Sequence, residues 1–81
     1  MIPGFYNHAA AITRSDTEDH PWVFDAFLVG AAGNVVLVLD NERSTTVTLT
    51  GLLQGHVYRI RGKRINLTNT TASSLVALKQ I

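Results

Sequence analysis

The stretch His56-Val-Tyr-Arg-Ile-Arg-Gly-Lys-Arg-Ile-Asn-Leu-Thr-Asn-Thr-Thr-Ala-Ser-Ser-Leu-Val-Ala-Leu78 decides the fold class. In an extended chain successive side chains point to opposite faces. Tyr58, Ile60 and Gly62 then fall on one side, and Val57, Arg59, Arg61 and Lys63 on the other. A glycine inside a strand pattern marks a bulge, and the register slips at Gly62, since the next apolar residues are Ile65 and Leu67. A Thr- and Asn-rich turn follows, then a second apolar strand from Ser74 to Lys79. The stretch reads as a terminal β-hairpin carrying a cationic stripe.

Working outward, the same strand grammar recurs. Residues 22–29, Trp-Val-Phe-Asp-Ala-Phe-Leu-Val, are aromatic and β-branched and are bounded by Pro21 and Gly30. Gly30-Ala-Ala-Gly33-Asn34 supplies turn residues, and Val35-Val-Leu-Val-Leu39 follows, which predicts a hairpin. Thr45-Thr-Val-Thr-Leu-Thr50 alternates threonine with Val47 and Leu49, the pattern of a half-buried strand, and Gly51 and Gly55 bracket a turn. About five short strands at roughly ten-residue spacing predict an all-β fold, a small antiparallel β-sandwich or partly open barrel.

Residues 1–20 read differently. They mix Pro, Gly, Asn, Ser, Thr and acidic residues with two early aromatics, Phe5 and Tyr6, which suits an extended N-terminal arm. Ser15–His20 could cap a helix, but Pro21 ends it at once and the residue before a proline avoids the α region. The expected organisation is therefore an arm over residues 1–20 and one β domain over 21–81.

Composition sets bounds. A domain of 81 residues buries only roughly 60–65% of the surface that its unfolded chain exposes. There is no cysteine, so neither a disulfide nor a thiolate metal site supplements a thin core. Docking and oligomerisation are the remaining common remedies. A net charge of +1, from seven basic and six acidic residues, argues against carrying nucleic acid by bulk charge. No segment reaches the ~18 apolar residues of a membrane helix, and the N-terminus lacks the basic flank and apolar core of a secretory signal. A soluble product made in a cytoplasm, with no membrane association, is the expectation.

Reactive constellations are missing. His8, His20 and His56 are far apart in sequence and unaccompanied by cysteine, which excludes the usual zinc spacings. Ser15, Asp16 and His20 share one loop with no nucleophile elbow around them. Gly30-Ala-Ala-Gly33 lacks the following helix and Lys-Ser/Thr ending of a phosphate loop. Asn66-Leu-Thr68 and Asn69-Thr-Thr71 match the glycosylation pattern, but turn chemistry explains them. No catalytic residue, metal, cofactor or small-molecule substrate is expected.

Two features remain. Arg59, Arg61, Lys63 and Arg64 form a basic stripe that is a solvated, aggregation-resistant face, a protein interface pairing with carboxylates, or a nucleic-acid contact. The last lacks interleaved aromatic residues for base stacking. The second feature is apolar surplus: Trp22–Val29 and Val35–Leu39 are apolar on both faces, which an antiparallel sheet in a lone domain seldom is. Either a second layer or neighbouring chains cover the excess, and neighbouring chains are the expectation.

The segment Tyr58-Arg-Ile-Arg-Gly-Lys-Arg-Ile-Asn-Leu-Thr-Asn-Thr-Thr-Ala-Ser-Ser-Leu-Val-Ala-Leu resembles the C-terminal pattern of the head-spike base family of tailed phages and gene transfer agents. There an apolar-Arg-apolar-Lys-Arg-apolar run precedes a Thr-Gly-Thr-Thr-Ala-like turn and a Val-Ala-Leu ending. Phe27-Leu-Val-Gly-Ala-Ala-Gly-Asn-Val-Val-Leu-Val is similar to that family's earlier hairpin. The likeness spans most of residues 22–79 and departs at Gly62, where a β-branched residue is expected, and at Asn69, which replaces a turn glycine.

The resemblance implies a non-enzymatic, all-β virion protein that anchors or decorates a capsid, located in the virion and partnered by other virion proteins such as the major capsid protein or a spike fibre. A homo-oligomer is expected. Ile2, Phe5, Tyr6 and Ile12 would be buried against neighbouring subunits, with Arg59, Arg61, Lys63 and Arg64 pairing with acidic groups there. A tail or baseplate adaptor is the alternative within that class; a small nucleic-acid-binding β-barrel is the rival from another.

Overall fold

The computed structural model describes residues 6–41, 43 and 45–80, and every regular element in it is a strand. In chain order these are β1 (His8–Ala11), β2 (Ala26–Leu28), β3 (Gly33–Leu39), β4 (Thr46–Leu52), β5 (Val57–Tyr58), β6 (Gly62–Ile65) and β7 (Val76–Lys79). They form a four-stranded sheet, β1-β7-β2-β5, and a three-stranded sheet, β4-β3-β6, with every pairing antiparallel. The sheets are two layers and do not close into a barrel.

Apolar patterning dictates the layering. Phe24, Phe27, Val29, Leu75 and Ala77 from one side meet Val35, Leu37, Leu52 and Ile65 from the other in one buried cluster. At about 25 cal/mol per Å2 of apolar surface removed from water, large residues such as Phe24, Phe27 and Leu37 give the core most of its stabilisation. Phe24 packs edge-to-face on Phe27, and Phe27 stacks on Tyr58 at 5.7 Å between ring centroids.

This layering corrects the two expected hairpins on either side of β3 and β6. β2 and β3 do not pair; the chain crosses between sheets at Gly30, whose amide donates to the Ser74 carbonyl at 3.1 Å. Facing each other across the core, both apolar strands bury their inner sides, whereas pairing side by side would leave those sides uncovered. A Cβ on Gly30 would lie 2.5 Å from the Ser74 Cβ, so only glycine allows the crossing this close.

Nor do residues 56–79 form a hairpin. Residues 57–65 make one bent strand. Its first part, β5, pairs with β2, and its second, β6, pairs with β3, while β7 inserts between β1 and β2. The corner is Gly62, which exchanges two backbone hydrogen bonds with Phe24, 2.9 and 3.1 Å. The register against β3 jumps there, Val38 facing Arg64 and Leu39 facing Gly62, so Lys63 is the extra residue of a bulge. The bulge read from the sequence is present. A β-branched residue does not fit: a Cβ on Gly62 would meet Leu37 Cδ1 at 2.6 Å and Phe24 Cε2 at 2.9 Å. The Phe24 ring fills that volume instead. Asn69 has φ 68°, the left-handed conformation that asparagine tolerates better than other side chains.

Residues 6–20, read as an arm, are extended but lie on the body. β1 pairs with β7 over His8–Ala11. The chain then leaves that sheet and runs beside β6: the Ser15 amide donates to the Ile65 carbonyl at 2.9 Å, and the His20 amide to the Lys63 carbonyl at 2.7 Å. An edge strand left open exposes unpaired backbone groups, and this crossing segment supplies partners for β6. The apolar surplus is likewise absorbed within the chain. Val35 and Leu37 enter the core cluster, and Val36 and Val38, which alternate onto the opposite face, are 7% and 0% exposed.

Candidate assembly surface

The basic stripe is built on the bent strand, and its alternation survives folding. Exposure alternates along residues 57–61, with Val57, Arg59 and Arg61 outward and Tyr58 and Ile60 half-buried against the core. The bulge then separates the four cations. Arg59 and Arg61 precede the corner, whereas Lys63 and Arg64 sit half-buried on the three-stranded sheet.

Their partners differ too. The Arg61 Nε lies 3.7 Å from Asp25 Oδ1 and 3.6 Å from Asp40 Oδ2. Asp25 precedes β2 and Asp40 follows β3, so one guanidinium sits between carboxylates of both sheets; with its side chain 61% exposed, the pairing contributes little to stability. Arg64 pairs with Asp19 at 3.5 Å, its side chain only 22% exposed and its Nε buried without a hydrogen-bond partner among the described residues. Arg59 is exposed and makes no ion pair with a described residue.

Of the apolar candidates, Ile2 and Phe5 lie outside the described residues. Tyr6 is half-buried at the start of the described chain. Ile12 packs against the core, and its amide donates to the Leu75 carbonyl at 2.9 Å. The structure does not bring Ile12 and the stripe to a common exposed patch. Among the described residues, the large apolar side chains that remain exposed are Leu53, Val57 and Leu67, at 56%, 44% and 53%. Val57 shares the outward side of the bent strand with Arg59 and Arg61.

The crossing segment holds polar contacts that sequence spacing did not reveal. Arg14 Nη1 donates to the carbonyls of Thr70 and Ala72 at 3.3 and 3.1 Å. Asp16 accepts from the Thr68 amide at 2.9 Å and the Thr68 hydroxyl at 2.6 Å, and these bonds hold its carboxyl below the ordinary carboxylate value. Ser15 Oγ accepts the amides of Thr17 and Glu18. His8 and His20, apart in sequence, each lie 4.5 Å from the Trp22 ring. Burial, and secondarily the charge of His8, lowers the pKa of His20. Ser15, Asp16 and His20 thus serve turn, anchor and packing roles, and no group of three or more His, Asp or Glu gathers among the described residues in a geometry for a metal ion. The partners of Arg14 and Asp16 lie more than fifty residues away, so the local pattern carried no signal of them.

Taken together, fold and surface define a small two-layer β protein whose polar groups serve structure and whose outward features suit contact with other macromolecules. No family model and no curated protein matches the chain. Among solved structures, a chain in the capsid of a native GTA (gene transfer agent) particle computed with C5 symmetry superposes with a TM-score of 0.80. It is 31% identical and covers 91% of this chain and 83% of its own length. The chain belongs to the family of that capsid chain.

Proposed function

We propose that this protein is a non-enzymatic structural component of a phage or gene-transfer-agent virion, placed on the capsid as a head-spike base or decoration protein. The observation that carries this reading is the match over nearly the whole chain to a protein in the capsid of a GTA particle. The match takes in 91% of the chain, so the role proposed is that of the body as a whole. The partners would be other virion chains, a major capsid protein or a spike fibre.

The contact surface on this reading centres on the bent strand. Arg59 and Arg61 offer guanidinium groups to carboxylates of a partner, and Val57 beside them offers apolar area, the combination enriched in protein interfaces. Arg61 would exchange its exposed pairs with Asp25 and Asp40 for drier ones. Arg64 and Lys63, half-buried on β6, would contribute at the rim, and Ile12 would act by fixing β1 and the crossing segment. Ile2, Phe5 and Tyr6 would extend the contact from the N-terminal end.

The test is localisation. Particles produced with a tagged chain, purified and imaged, should carry the tag on the capsid surface; a chain found only in the lysate, or on the tail, would overturn the capsid placement.

A further inference from the structure

Among the described residues β4 forms an open edge of the three-stranded sheet, paired with β3 alone. The Leu39 amide donates to the Thr45 carbonyl at 2.8 Å, and Leu37 and Val35 face Val47 and Leu49. Backbone groups alternate sides along a strand, so Thr45, Val47 and Leu49 turn theirs toward β3, and Thr46, Thr48 and Thr50 turn theirs out of the edge. The hydroxyls of those three threonines lie on the exposed face, while Val47 and Leu49 lean on the core.

Natural edges are commonly blunted by lysine, proline, inward charge or a bulge. Thr46–Leu52 contains no charged residue and no proline. Its one irregularity is a register shift between Leu49 and Leu52, where Gly51 has φ 72°, so the shift falls at the C-terminal end of the run from Thr46 to Thr50. That run, Thr-Val-Thr-Leu-Thr, is nearly the same read in either direction. Turned antiparallel on itself about Thr48, it sets threonine against threonine on one face and valine against leucine on the other.

We infer that β4 pairs with β4 of a second copy of this chain, antiparallel and centred on Thr48, joining the two three-stranded sheets into one continuous sheet. Thr48 meets Thr48 of the partner subunit, and Thr46 meets Thr50 of the partner subunit. Every outward amide and carbonyl of these threonines then gains a partner. A two-fold contact brings a residue opposite itself, so a charge at the centre would repel its own copy; threonine, small and able to hydrogen-bond across strands, is suited to that place. The pairing buries little surface, so it forms at high concentration, as among copies crowded on one assembly. It stands on the register of β4 and does not require the capsid reading.

The native chain has no cysteine, so a single introduced thiol can form a disulfide only between two chains. Across the two-fold axis Thr48 and its copy are a hydrogen-bonded pair with Cα atoms ~5.5 Å apart, within disulfide reach. Thr48→Cys should oxidise to a covalent dimer much faster than Thr13→Cys, an exposed control on the crossing segment. Sedimentation of the native chain should shift from monomer toward dimer with concentration, and Thr48→Lys should stay monomeric with an unchanged circular dichroism spectrum. A native chain that is monomeric throughout, a dimer that Thr48→Lys leaves intact, or equal crosslinking of the two cysteine variants would overturn the inference. Whether Thr48→Lys still enters particles is read separately and bears on the capsid role alone.

Discussion

A single missing Cβ sets the corner of this molecule. Gly62 sits between Leu37 and the Phe24 ring at distances that no side chain tolerates without displacing one of them. Gly62→Ala should therefore lower unfolding free energy by about 1–3 kcal/mol, the usual cost of overpacking, read from the denaturant midpoint; an unchanged midpoint would mean that Phe24 repacks freely. Asn69→Gly should change stability by less than about 1 kcal/mol, and in the stabilising direction, because glycine adopts the observed φ without the steric cost borne by asparagine. These two positions are where the sequence departs from the pattern it resembles. The bulge was legible because an apolar rhythm that breaks at a glycine has one simple geometric reading. The tight approach of Phe24 was not, because it depends on a residue 38 positions earlier reaching the same point.

At the scale of elements, strands were readable and their partners were not. Alternation along 57–61 and 45–50 reports which side of a strand is buried, and both patterns persist in the fold. It says nothing of which sheet a strand joins, so two apolar strands separated by Gly30–Asn34 look like a hairpin although they face each other across the core. The partners of the crossing segment were hidden for a related reason. Its polar composition resembles a loop, yet Arg14, Ser15, Asp16 and His20 find partners on β6 and the 66–72 turn.

Those ties have a pH signature. His20, with a pKa lowered from 6.5 by burial and then by His8, is protonated more readily in the unfolded chain, so stability declines as pH falls below 6.5 toward the folded-state value. Asp16, lowered from 3.8 by its bonds from Thr68, contributes stability above 3.8 that is lost as pH falls through its folded-state value. Urea midpoints measured from pH 7 downward should fall in two limbs. His20→Phe should flatten the upper limb and Asp16→Asn the lower. A midpoint constant down to pH 5 in the native chain would contradict the first assignment.

For the whole molecule, thin-core arithmetic and apolar surplus pointed to a body that needs neighbours, and the fold refines that argument. The second face of β3 is covered within the chain, so among the described residues the surface left for partners is narrower than the composition suggested, centred on the outward side of residues 57–61, the exposed Leu53 and Leu67, and the β4 edge. Arg59→Ala with Arg61→Ala should reduce incorporation into particles several-fold while leaving the melting transition within a few degrees of the native one, since exposed ion pairs contribute about 0–1 kcal/mol. Undiminished incorporation would remove the bent strand from the contact surface.

The most direct test of the account is a cryo-electron microscopy reconstruction of the particle that carries this protein. The account predicts density for the two-layer β body on the outside of the capsid, with residues 57–61 against another virion chain. Density for that body in the tail, or capsids complete without it, would contradict it.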